Sequence, residues 1–184
     1  TAIDDLGLVP SGPHDKARNI VADPHAGLDD LVTALDEELL ADPGLAELPG
    51  RFLLAVAAPG GAVLGEPWDV AVVAEPGEGG IAQVVADDGA IRVPRDESAE
   101  AGLDVARRFL AARTDTRTWN LRDLPDEDRG DLLPGGSPFD VVAGDPPEPG
   151  PAGDDLVALV PLGLLTPAMV EGLREVAGSR ESSQ

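Results

Sequence analysis

The sequence predicts an α+β fold, with a mainly antiparallel sheet and helices packed on one face. Three observations carry that expectation. Apolar residues recur with helical period over 28–40 and again over 97–113. Between those stretches lie short apolar runs bounded by Gly- and Pro-rich turns. The last of these runs are only a few residues apart, which calls for hairpins rather than crossovers.

The elements follow in chain order. Residues 1–13, "TAIDDLGLVPSGP", are an apolar lead-in ending in turn residues. Leu28, Leu31, Val32, Leu35, Leu39 and Leu40 form one helical stripe, with Asp29 and Asp30 suited to its N-terminus. "ADPG" (41–44) ends it, because Pro43 cannot extend the hydrogen-bond ladder. "RFLLAVAA" (51–58) is almost continuously apolar and predicts a strand buried on both faces. "WDVAVVAE" (68–75), "IAQVVAD" (81–87) and "AIRVP" (90–94) predict three more strands, with turns at "PGEGG" and "DDG". Over 97–113, Leu103, Ala106 and Leu110 join Val105, Phe109 and Ala112 in one broad apolar face. Gly102 weakens that helix by about 1 kcal/mol against alanine.

From 125 to 153 the texture is Pro-, Gly- and Asp-rich, which predicts a linker or loosely packed loop. "DDLVALVPLG" (154–163) then predicts a strand. "TPAMVEGLREVAG" (166–178) predicts a helix with Thr166 as N-cap and Pro167 at the first position. One strand and one helix cannot bury a core, so this tail either docks on the main body or belongs to a domain the chain does not complete. The expected organisation is a module over 1–124, a linker over 125–153, a partial half-domain over 154–178 and a disordered tail over 179–184.

Composition bounds the partners. The chain has 184 residues with 42% hydrophobic and 3% aromatic content, so its core is aliphatic. It carries 35 Asp and Glu against 13 Lys and Arg, a formal charge of −22. Such a surface repels nucleic acid and anionic lipid, and neither is expected as a partner. There is no cysteine, which excludes disulfides, thiolate zinc sites and an iron–sulfur cluster held by this chain alone. No apolar run reaches the roughly 18 residues of a membrane span. No signal peptide is visible, so a cytoplasmic setting is expected. Opening on Thr rather than Met predicts a fragment or a processed product.

One stretch runs against the charge. "HDKARNIVADPHAGL" (14–28) holds both histidines, the only lysine and an Arg-Asn pair. In an extended segment His14, Lys16 and Arg18 project to one side and can meet a multiply charged anion. Arg18 is the strongest of them, since a guanidinium grips carboxylates bidentately. The alternative is a solvated loop in which Arg18 pairs with a nearby acid. His14 and His25, eleven residues apart and without cysteine partners, make poor metal ligands. Arg51, at the mouth of a buried strand, either serves a ligand or pairs with Glu47. No nucleophile elbow, P-loop or GxGxxG is present.

"ARNIVADPHAGLD" followed by "LVTALDEELLADPGLAELPGRFLLAV" resembles the siroheme-type module of the nitrite/sulfite reductase superfamily, and within it the precorrin-3B synthase family. "LVALVPLGLLTPAMVEGLREVA" resembles the start of a ferredoxin-like half-domain. The resemblance spans about residues 6–178. It implies an oxidoreductase component of cobalamin biosynthesis that binds siroheme or a related tetrapyrrole. By that likeness Arg18 faces a ligand carboxylate, Asn19 fixes the loop, and Arg51 is the cation of an "LP-x-K-F" motif. Leu53 stands where the reductases place a second cation, so sulfite or nitrite reduction is not expected. "ADDG" (86–89) puts acids near the site. The cluster-binding cysteines of the family lie in a second module, so a cysteine-bearing partner is implied and this chain alone is expected to be inactive. The other reading is a non-catalytic acidic α+β module that docks a partner subunit.

Overall fold

A computed structural model describes residues 12–24, 26–77, 79–152, 155–160 and 164–181. Strand β1 (Ile20–Ala22) leads into helix α1 (Asp29–Ala41), which is followed by β2 (Leu54–Ala57), β3 (Val70–Ala74), β4 (Ile81–Ala86), β5 (Gly89–Pro94) and α2 (Ser98–Ala112). A short helix α3 (Asp126–Arg129) and a two-residue strand β6 (Ser137–Pro138) complete this unit.

The six strands form one sheet in the order β1-β2-β3-β4-β5-β6. The fold is α+β, but the sheet is mixed. β1 pairs with β2, and β2 with β3, in parallel; β3 through β6 are antiparallel. The expectation of a mainly antiparallel sheet therefore holds for the β3–β6 half only. The cause lies in the connections. Helix α1 carries the chain back from β1 to the start of β2. The twelve residues 58–69 do the same between β2 and β3, folding a 3-10 turn at Ala62–Gly65 over one face rather than reversing at "PGG". The hairpins behave as their sequences require: β3–β4 turns on Gly77, Gly79 and Gly80 at positive φ, and β4–β5 on Asp87 at φ 51°.

Both faces of the sheet are covered. On one, Leu54, Val56, Val70, Val72 and Val84 pack against Leu31, Leu35 and Leu39 of α1 and Leu103, Ala106 and Phe109 of α2. The three α1 leucines are four residues apart, so they stack along one side of the helix. Phe52 and Phe109 meet with ring centroids 4.9 Å apart. On the other face Ala55, Ala57, Ala71, Val73 and Val85 pack against Val63, Leu64, Trp68 and Phe139. The helices α1 and α2 thus sit on one side, as expected, and β2 is buried along its whole length.

Two polar groups fix the joints, Arg95 buried and Asp23 half-buried. Arg95, 3% exposed, donates to both oxygens of Asp30 at 3.0 and 2.8 Å and to the Glu75 carbonyl at 2.8 Å. It ties the start of α1 to the β3–β4 hairpin, and its hydrogen bonds hold the Asp30 carboxyl below the usual aspartate range. Asp23 accepts from the Ala58 and Val63 amides at 3.1 and 2.9 Å, closing the turn after β2.

Gly102 faces β3. A methyl placed there would lie 3.5 Å from Val72 and 3.7 Å from Val70, ordinary contact distances. Gly102→Ala is therefore expected to raise the melting temperature by roughly 2–4 °C, from up to about 1 kcal/mol of helix propensity. Differential scanning calorimetry checks it; a lower melting temperature would mean that the helix–sheet contact has no room.

The first compact unit runs to Asp145 and the second covers Pro146–Gln184. The first part of the expected linker thus belongs to the main unit: Leu132 and Leu133 are buried and β6 pairs with β5. In the second unit β7 (Gly150–Ala152) pairs antiparallel with β8 (Asp155–Val157), and helix α4 spans Pro167–Glu181. The predicted strand is shorter than 154–163. Thr166 does cap α4, its hydroxyl accepting from the Met169 amide at 3.3 Å. Leu159, Leu164 and Leu165 of this unit are exposed. Among the described residues no helix is long and apolar enough to cross a membrane.

Candidate functional site

Parallel pairing of β1, β2 and β3 brings three chain entries into one row. The Leu54 amide donates to the Asn19 carbonyl at 3.0 Å, and the Asp69 amide to the Leu53 carbonyl at 2.8 Å. Arg18 and Arg51, 33 positions apart in sequence, therefore stand at the same end of the same sheet, before adjacent strands. The two segments also touch. Asn19 Nδ2 donates to the Phe52 carbonyl at 3.3 Å, and Gly50 lies against the Lys16 backbone.

The five residues read from sequence meet different fates. Arg51 is exposed, and its guanidinium carbon lies 5.2 Å from the centroid of the Trp119 ring. It takes no part in the ion pairs seen among the described residues, and the pairing with Glu47 does not form. Lys16 is exposed on the neighbouring segment. Arg18 is engaged: Nε and Nη2 donate to the two Asp36 oxygens of α1 at 2.5 and 2.8 Å. Those hydrogen bonds raise its pKa above the usual arginine value. Any other anion at Arg18 has to displace Asp36. His14 is buried, 4% exposed, with Nε2 at 2.9 Å from the Asp42 carbonyl oxygen. It does not face the edge as an anion-binding group. His25 lies outside the described residues.

Sequence reading missed the group that builds this edge. Asp69, 3% exposed, accepts from the Leu53 amide at 2.8 Å, the Leu121 amide at 2.7 Å and Asn120 Nδ2 at 3.0 Å. Asn120 Nδ2 also donates to the Arg51 carbonyl at 2.8 Å. One carboxylate thus fastens the Arg51–Leu53 segment to the loop that follows α2. Burial pushes the Asp69 carboxyl above the usual aspartate range, against the pull of its three donors. The loop itself is stiff. Asp123 accepts from the Trp119 and Asn120 amides at 2.8 and 3.0 Å in a capping box, and Asp115 accepts from the Arg117 and Thr118 amides. The spacing of Asn120 and Asp123 is the one sequence signal that points to this turn.

A shallow cleft of about 160 Å³ opens beside Asp69, lined by Trp68, Asp87, Leu121 and Arg122. Asp87, one of the expected acids of "ADDG", is at 3.3 Å from Arg129 Nε. A larger open groove of about 400 Å³ lies on the sheet face away from the two long helices, lined by Leu64, Ile81, Gln83, Arg92, Phe139 and Val142 among others. Among the described residues no cluster of three or more His, Asp or Glu is arranged to hold a metal.

No family model, curated protein or solved structure matches the chain. The geometry has to speak for the site.

The donor set at the strand entries suits the carboxylate rim of a large anion. Arg51 and Lys16 are exposed cations, Arg18 is a guanidinium held by an exchangeable acid, and Trp119 offers an exposed ring. His14 is committed to a backbone carbonyl and the chain has no cysteine.

Proposed function

We propose that the strand-entry edge of β1 and β2 binds the carboxylates of a tetrapyrrole, siroheme or a related intermediate. In this reading the chain is the ligand-gripping part of a precorrin-3B synthase-like oxidoreductase of cobalamin biosynthesis. A separate cysteine-bearing module or subunit supplies the electron-transfer centre, and the setting is cytoplasmic. The observation that carries the reading is the adjacency of the Arg18-Asn19 and Arg51-Phe52 segments, joined by the Asn19–Phe52 hydrogen bond. A net charge of −22 repels such a ligand at long range, so local cations must overcome that field at contact.

The test is a titration of uroporphyrin, an octacarboxylate porphyrin, into wild type and variants. Arg18→Ala and Arg51→Ala each remove a charged hydrogen-bonding group, worth about 1–3 kcal/mol, so each is expected to weaken binding roughly 5- to 150-fold. Asp36→Asn is expected to tighten it, because the competing carboxylate on Arg18 is gone. Equal affinities across the series would reject the reading.

The second reading, a non-catalytic module that docks a partner subunit, is favoured by one observation. Ile81 and Val142 beside the larger groove, and Leu159, Leu164 and Leu165 in the second unit, are 50–73% exposed. Exposed aliphatics of that size are commoner on surfaces that are covered in an assembly.

A further inference from the structure

Trp119 is unusual for this chain. There are two Trp, three Phe and no Tyr in 184 residues. Phe52 and Phe109 are fully buried, Phe139 packs on the second sheet face, and Trp68 packs there too with its Nε1 donating to the Leu64 carbonyl at 3.1 Å. Trp119 alone among them is 44% exposed, and among the described residues its indole N–H makes no hydrogen bond. It is not exposed because its loop is loose. Its backbone amide is bonded to Asp123, and the next residue, Asn120, is bonded to both Asp69 and the carbonyl of Arg51. The backbone of Trp119 is pinned at the candidate edge, and the Arg51 guanidinium lies over its ring.

We infer that Trp119 contacts the ligand directly and makes the edge selective for planar, conjugated polycarboxylates over puckered ones of the same charge. The inference rests on the proposed tetrapyrrole reading. Its physical basis is independent of charge: cations recognise carboxylates whatever their scaffold, whereas an indole face gains most contact with a flat π-surface. Arg51, oriented by the ring below it, presents its N–H groups sideways to carboxylates at the rim of such a surface. Asn120, Asp123 and Asp69 act as positioning residues: Asn120 donates to the Arg51 carbonyl, Asp123 accepts from the Trp119 amide, and Asp69 fastens the Leu53 segment to the Asn120–Leu121 turn.

The experiment compares uroporphyrin with uroporphyrinogen, titrated under anaerobic conditions. Both carry the same carboxylates, but saturated bridges make the second non-planar. Wild type is expected to prefer uroporphyrin by roughly 3- to 10-fold. Trp119→Leu should abolish that preference, weakening uroporphyrin more than uroporphyrinogen, and Trp119→Phe should keep part of it. Arg51→Ala should weaken both ligands together. If wild type binds and Trp119→Leu keeps the same preference, or if wild type shows no preference, the role of Trp119 is overturned while the tetrapyrrole reading stands. If wild type binds neither ligand, both fall.

Discussion

Replacing Asp69 with alanine is expected to destabilise the main unit by about 2–4 kcal/mol, the scale for leaving buried donors without an acceptor. Three donors lose their partner at once: the Leu53 and Leu121 amides and the Asn120 side chain. They come from two separate stretches, Leu53 and the Asn120–Leu121 turn, so no local shift can re-satisfy all three. Relief from burying a charge offsets part of the loss, which keeps the total below the sum of three bonds. For a chain of this size the melting temperature should fall by roughly 5–15 °C. The effect also has a pH sign. Burial raises the folded-state pKa of Asp69, so its stabilising contribution is fully present below the ordinary aspartate pKa of 3.8 and is lost as pH rises through the folded value. The stability gap between wild type and Asp69→Ala should therefore widen on mild acidification. Urea melts at neutral and mildly acidic pH measure it, and a gap that narrows would show that Asp69 is held as a stabilised anion.

Phe109→Ala is expected to cost more, about 3–5 kcal/mol. The ring is wholly buried and meets Phe52, the residue after Arg51, at an interplanar angle of 36°. Its removal leaves a cavity bordered by Phe52 in a core otherwise made of Leu, Val and Ala. Against the 5–15 kcal/mol typical of a whole domain, that is a large fraction. Chemical denaturation should show a lower midpoint with little change in slope. Because Phe52 and Phe109 touch, the double alanine variant should lose less than the sum of the two. Additive losses would indicate that the rings do not share one packing site.

The helices and the hairpin half of the sheet were legible because their signals are local. Leu31, Leu35 and Leu39 mark a helical face within nine residues, and "PGEGG" and "DDG" demand turns wherever they fall. Strand β1 was hidden. "IVA" is three residues long, sits among charged groups, and becomes a strand only by pairing with Leu54, Ala55 and Val56. The parallel β1–β2 pairing was lost with it, and the parallel β2–β3 pairing was hidden because residues 58–69 cross over instead of reversing at "PGG". The site divides in the same way. Arg18, Asn19 and Arg51 are readable as cations and a loop residue, but their meeting at one edge depends on β1 lying beside β2. Asp69 is one of 35 acidic residues and has no sequence mark of its own. Its three donors come from positions 16, 51 and 52 residues away. Asp36 could not be singled out as the partner of Arg18 among so many carboxylates, although an acid partner was the stated alternative.

A chain of 18.9 kDa is well within reach of amide chemical-shift mapping, and uroporphyrin titrated into isotopically labelled protein tests the binding edge most directly. The expected result is a set of saturable shifts confined to residues 16–19, 51–53 and 119–122, together with the indole N–H of Trp119. No shifts at saturating porphyrin, or shifts centred on Gln83, Arg92 and Val142 on the outer sheet face, would contradict it.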